Sequence, residues 1–192
     1  MAQTAASSST ARSSAQRHPA VKFLLRAGVL MALLYALYYF PYPDGSLPDC
    51  VLDAILAAQG QAAAWLIGRF ETGVSAHDAL IQGRFPMRVV KACSSLDAQA
   101  LYCATVLSFP GRLRTKLVGL GLGISALSLI NIARIAGLYF VGVHTPDSFE
   151  MVHEEIFPLV LVLCACGAFA GWAAYASRES PFVLRGPSRA AA

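Results

Sequence analysis

CVLDAILAAQGQAAAWLIG, residues 50–68, is the stretch whose reading decides the fold. It is apolar and Ala-rich, yet Asp53, Gln59, Gly60 and Gln61 lie inside it. A segment of this length and composition either crosses a bilayer or lies along its interface. The rest of the chain shows that a bilayer is involved. Of its 192 residues 56% are hydrophobic and 14% charged, against about a quarter charged in soluble domains. Mean hydropathy is +0.55. Such a chain forms one compact helical bundle without a second large domain.

On either side of 50–68 the pattern is plainer. Residues 21–40 (VKFLLRAGVLMALLYALYYF) are long enough to span and end in aromatics that fit an interfacial belt. They lack a small-x-small cleavage site, which favours an uncleaved helix over a signal peptide. Residues 1–20, rich in Ser and Ala, are expected to be disordered. PYPDGSLPD (41–49) is a turn. Residues 69–92 are polar, partly alternate around Gln82 and Gly83, and predict a small hairpin cap. Residues 94–109 form an apolar helix ended by Pro110 and Gly111. Residues 117–143 form a longer one, with Gly119 and Gly123 spaced for close helix approach. Residues 144–155 read as a polar loop, 156–176 as a last span, and 177–192 as a basic tail.

Charge then decides what 50–68 does. If it does not cross, four helices span and both termini share one side. That side holds Arg12, Arg17, Lys22, Arg26, Arg112, Arg114, Lys116, Arg178, Arg185 and Arg189 out of 15 basic residues. Of the 11 acidic residues only Glu179 lies with them. A crossing would expose the Arg112–Lys116 loop and the C-terminal arginines outside, against the positive-inside rule. The fold expected is therefore an all-α integral membrane bundle: about four transmembrane helices, an embedded outer-face helix over 50–68 (a fifth span being the alternative), and a small extracytoplasmic hairpin cap. The net charge of +4 reflects topology, and no nucleic-acid partner is expected.

Helix arithmetic brings three residues to one depth. Cys93 precedes Pro110 by 17 residues, roughly 25 Å of helix. Arg134 follows Lys116 by 18 residues, roughly 27 Å. His153 precedes Arg178 by 25, roughly 37 Å. All three fall near the outer boundary of a core about 30 Å thick. An isolated membrane cysteine is commonly a small buried hydrophobe, and Cys50, Cys103, Cys164 and Cys166 are read as such. Cys93 differs in following Arg88 and Lys91 and in starting a helix, a setting that favours the thiolate. Arg134 lies in NIARIAG among apolar residues, costly unless it meets a polar cavity. Asn131, one turn away, is placed to hold its guanidinium. Asp97, one turn from Cys93, is placed to orient His153 or to pair with Arg134. His144 and His77 rival His153 on composition. A Cys–His pair supplies a nucleophile and an acid/base, and an arginine supplies charge for an oxyanion. Cysteine spacing suggests neither a zinc site nor a disulfide framework, and no cofactor is expected. A non-catalytic membrane subunit or small transporter with a structural Arg134–Asp97 pair is the alternative, and a thiol acyltransferase a third option.

At these residues the chain resembles the exosortase/archaeosortase family, most closely the short exosortase H type. The pieces are ACSSLDA (92–98), NIARI (131–135) and FEMVHEEIF (149–157), in that order, with GRFPMRVVKAC (83–93) leading to the cysteine. The similarity spans roughly 21–176. One departure stands out: the family commonly has a glycine soon after the cysteine, where this chain has Ser95. The resemblance implies a cysteine protease and transpeptidase in the bacterial cytoplasmic membrane, its site at the extracytoplasmic face. Substrates would be exported, membrane-anchored proteins ending in a short motif, a transmembrane helix and a basic cluster. Cys93 would form a thioester, His153 serve as acid/base, Arg134 position substrate or stabilise the oxyanion, and Asp97, Asn131 and Ser94 support them. An amine on a surface acceptor, or water, would release the product.

Overall fold

The computed structural model describes the backbone of residues 4–179 and the side chains of residues 20–178. The order is α1 (Thr4–Tyr38), α2 (Leu47–Ile67), a three-stranded antiparallel sheet β1 (Ser75–His77), β2 (Leu80–Gln82) and β3 (Met87–Arg88), α3 (Leu96–Ser108), α4 (Leu113–His144), the single turn α5 (Phe149–Met151) and α6 (Phe157–Glu179). A 3₁₀ turn, Lys91–Cys93, precedes α3, and a π-helical turn, Val152–Ile156, joins α5 to α6. The protein is thus an all-α bundle with a small β cap. The basic tail beyond Glu179 lies outside the described residues.

Among the described residues four helices are long and apolar enough to cross a membrane: Ala20–Tyr38 within α1, Leu47–Ile67, Leu113–His144 and Pro146–Arg178. The number matches expectation, but the set differs: α2, expected to lie embedded at the outer face, qualifies by length and composition, and the helix expected to span over 94–109 does not. The sequence predicts a span over 94–109, yet α3 has 13 residues, roughly 20 Å. The 3₁₀ turn and the left-handed Ser95 take up the residues that would have lengthened it. Residues 4–19, expected to be disordered, continue α1 as helix; their alanines are the strongest helix formers. Residues 144–155, expected to be a loop, are almost wholly helical, because the 3₁₀ turn at Pro146–Ser148, α5 and the π turn run directly into α6.

Two clusters pack along α4. Leu127 of α4 joins Ala98, Tyr102 and Val106 of α3 and Leu161 and Ala165 of α6. Toward the other end, Ile135, Leu138 and Tyr139 of α4 join Leu56 and Ile67 of α2, Ile81 and Met87 of the sheet, and Cys93. So α2 packs on the C-terminal half of α4 together with the cap. The small residues of α4 receive aromatics from the bundle itself: a Cβ on Gly119 would meet the Trp172 indole, and one on Gly123 would meet the Tyr102 ring. The sheet turns at Asp78 and Ala79, with Asp78 at φ 51°, as two-residue hairpins demand. Its second turn is pinned to α4, where the Tyr139 hydroxyl accepts from Arg84 N at 2.9 Å and donates to Glu71 at 2.9 Å.

Candidate functional site

The turn before α3 is built from Cys93, Ser94 and Ser95, which are 2%, 1% and 5% exposed. Two oxygens meet around Lys91: Ser94 Oγ donates to the Lys91 carbonyl at 2.7 Å, and the Tyr38 hydroxyl donates to the same carbonyl at 2.8 Å. Ser94 Oγ also accepts the Leu96 N–H at 3.3 Å, satisfying one of the donors a helix N-terminus leaves open. Ser95 then turns the chain at φ 59°, ψ 6°. That left-handed region is where glycine rests without strain, so Ser95 makes the turn a glycine would make. Its hydroxyl accepts from Gln99 Nε2 at 3.1 Å, which tethers it.

Cys93 Sγ lies 2.9 Å from His153 Nε2. The π turn carries His153 to the thiol and stacks its ring on Phe149, centroids 5.7 Å apart. His144 and His77, its compositional rivals, are exposed and make no hydrogen bond to Cys93. Arg134 is 4% exposed. Its guanidinium donates to Asn131 Oδ1 at 3.3 Å and, more weakly, to the His153 carbonyl at 3.5 Å. Its Nε is buried without a partner among the described residues. Asn131 Nδ2 donates to the Cys93 carbonyl at 2.8 Å and to Gln59 Oε1 at 3.1 Å. Gln59 Nε2 reaches the Ser94 carbonyl at 3.0 Å. Beside this knot a cavity of about 160 Å³ is lined by Tyr35, Ala92, Ser95, Asp97, Arg134 and Pro158, among others.

Two expectations change. Asp97 neither orients His153 nor pairs with Arg134. Its carboxylate accepts from the Tyr39 hydroxyl at 3.3 Å on each oxygen, because α1 packs against this face of α3. The pair between Arg84 and Glu71 is the ion pair found among the described residues. Nor is Cys93 set up as a thiolate. Burial pushes the thiol above its ordinary range, and the Val90 backbone hydrogen bond and Arg134 draw it back only in part. Arg88 and Lys91 point to solvent, and two residues separate the sulfur from α3. The five cysteines are free thiols, so no disulfide ties up Cys93. Sequence reasoning misses Gln59 and Tyr38. Gln59 offers one signal, a polar amide inside an apolar helix; Tyr38 offers none beyond its place in an aromatic belt.

A buried thiol in contact with an imidazole, held within a bundle of spanning helices, defines a multi-pass membrane protein with a cysteine–histidine centre. The chain belongs to the transmembrane exosortase family, whose model matches residues 23–171. Membership makes it a membrane protein of a sorting family. Neither a curated protein nor a solved structure matches it.

Proposed function

We propose that this protein is a membrane-embedded cysteine peptidase and transpeptidase that removes the C-terminal sorting segment of exported, membrane-anchored proteins. The observation that carries the reading is the 2.9 Å contact between Cys93 Sγ and His153 Nε2. Burial raises the thiol's pKa, which favours attack coupled to proton transfer. Sulfur bonds to the scissile carbonyl carbon as its proton passes to His153, which is general-base catalysis. The carbonyl oxygen becomes an oxyanion, and the unpartnered Arg134 Nε is the donor for it. Collapse breaks the C–N bond, His153 protonates the departing amine, and a thioester remains on Cys93. Water or an acceptor amine then attacks, losing its proton to His153 and restoring the thiol.

The membrane frame follows from charge. Arg112 just before α4 and Arg114 and Lys116 at its start, with Arg178 at the end of α6, belong to the cytoplasmic side. The hairpin, α2 and the Cys93 centre then lie at the extracytoplasmic face, where an exported substrate presents its cleavage site. A structural Arg134–Asp97 pair, the premise of a transporter reading, is not formed; Asp97 is engaged by Tyr39 instead. The decisive experiment co-expresses a C-terminally tagged, membrane-anchored substrate with Cys93→Ala and Cys93→Ser. Both variants are expected to abolish processing and thioester trapping while keeping wild-type levels in the membrane. Processing by either one overturns the proposal.

A further inference from the structure

We infer that Gln59, on α2, is a positioning residue for the Cys93 centre, one that braces the Asn131 amide and through it the Arg134 guanidinium. The inference rests on the reading of Cys93 as nucleophile. Gln59 is 8% exposed and shares its helix face with buried Leu56 and Ala63. A polar amide on such a face is costly unless both of its ends are paired. Both are, and the partners belong to the site.

The turn creates the need. The first intrahelical bond of α3 runs from Gln99 N to the Ser95 carbonyl at 3.0 Å. The Cys93 and Ser94 carbonyls lie ahead of it and receive no helical bond. Asn131 supplies the donor for Cys93 at 2.8 Å and Gln59 the donor for Ser94 at 3.0 Å. Asn131 has one carbonyl and two amide hydrogens. Arg134 occupies the carbonyl at 3.3 Å, and Cys93 O and Gln59 Oε1 occupy the hydrogens. Without the Gln59 acceptor the Asn131 amide keeps the Cys93 carbonyl but loses one of the two acceptors that set its sense. A flipped amide would turn hydrogens toward the guanidinium, which has only donors. Gln59 therefore helps hold Asn131 in the sense that engages one end of the Arg134 guanidinium, the Nε staying unpartnered among the described residues. The bonds run head to tail from Arg134 through Asn131 and Gln59 to Ser94, an arrangement in which each bond polarises the next.

The test reads the thiol directly and needs no substrate. Full-length protein in lipid nanodiscs is alkylated with iodoacetamide across a pH series, and modification at Cys93 is followed by peptide mass mapping. The charged and titratable groups facing the Cys93 turn are Arg134 on α4, His153 on the π turn, Tyr38 on α1, and Asp97 on α3 beside the Arg134 cavity. None is altered by changing Gln59. Gln59→Leu keeps the bulk and removes both bonds. Its expected effect is alkylation about tenfold slower at fixed pH, a titration midpoint about one unit higher. Gln59→Met, unbranched and close in volume, also removes both bonds without adding charge; its midpoint is expected to rise as well. Gln61→Leu, at an exposed position of the same helix, is expected to leave the profile unchanged. A folded Gln59→Leu or Gln59→Met protein with the wild-type midpoint and rate overturns the inference. So does an equal shift in Gln61→Leu. If Gln59→Leu does not fold, Gln59→Met against wild type decides. A profile indifferent to Arg134→Gln overturns this inference alone, by uncoupling Arg134 from the thiol; processing that survives Cys93→Ala overturns the nucleophile reading and this inference with it.

Discussion

Ser95 is where a single residue departs from the pattern of its family, and the backbone explains why the departure is tolerated. A non-glycine residue in the left-handed region costs roughly 1–2 kcal/mol. The Gln99 hydrogen bond to its hydroxyl returns about 0.5–1.5 kcal/mol. Ser95→Gly removes both, so the two effects nearly cancel, and its unfolding midpoint and processing activity should stay close to wild type. Ser95→Val keeps the strain, loses the bond and adds a β-branched side chain where such residues are outliers. It should lower both, and a Val variant with wild-type midpoint would show that the turn does not constrain the site. Arg134 gives a second outcome at this scale, with a definite sign. Its positive charge favours the thiolate and so pulls the Cys93 pKa down against burial. Removing that charge in Arg134→Gln leaves burial unopposed by it. The thiol then titrates higher still, and the alkaline rise of Cys93 alkylation moves to higher pH. Turnover should fall about 10²–10³-fold, as for loss of an oxyanion donor. An unmoved alkylation profile would separate Arg134 electrostatically from the thiol.

Among the elements, α4 does the most organising. Its small residues are pockets for the bundle's own aromatics. Gly123 faces Tyr102, whose hydroxyl donates to the Gly119 carbonyl at 2.8 Å, while nothing lies within 4 Å of a Cβ at Gly121. Gly123→Leu is thus expected to destabilise by about 1–3 kcal/mol through overpacking, and Gly121→Ala to be neutral. Unfolding in mild detergent, followed by helical circular dichroism, distinguishes them, and equal stability of both variants would remove Gly123 from the α3–α4 contact. The π turn is the second telling element. Such turns widen a helix by one residue and recur at functional sites. Here one lets α6 run straight on while His153 reaches back to the sulfur.

For the molecule as a whole, length is the telling quantity. α4 has 32 residues, roughly 48 Å, against a hydrocarbon core of about 30 Å. It must project beyond the membrane, and its C-terminal half is the part that α2 and the hairpin clothe. α2 can cross by length and composition, but its partners are those of the projecting half. The expected topology therefore sets both ends of α2 on the hairpin side. Cysteine replacements at Arg69 and Gln82, together with native Cys50, should react with a membrane-impermeant maleimide on intact cells. A replacement at Arg112 should react only after permeabilisation. Labelling of positions 50 and 69 from opposite sides would make α2 a fifth span.

Composition and charge order were enough to establish a helical membrane bundle with a small polar cap. These depend on solvent transfer and helix rise, which are local properties of the chain. Depth came from the same arithmetic, and the structure sets Cys93, Arg134 and His153 side by side. Lateral facts were beyond it. That His153 and not His144 meets the sulfur depends on a π turn that no residue pattern announces. That Asp97 turns to Tyr39 depends on how α1 leans on α3. That Gln59 reaches Ser94 depends on α2 packing across α4, a contact between residues 35 positions apart. Even the direction in which the Cys93 thiol is shifted reverses what its neighbours in sequence suggest, since burial, the largest cause, is a property of the packed molecule. Sequence determined which residues lie at the site's depth; only the tertiary structure decided which of them touch, because hydrogen bonds and desolvation act across space and not along the chain.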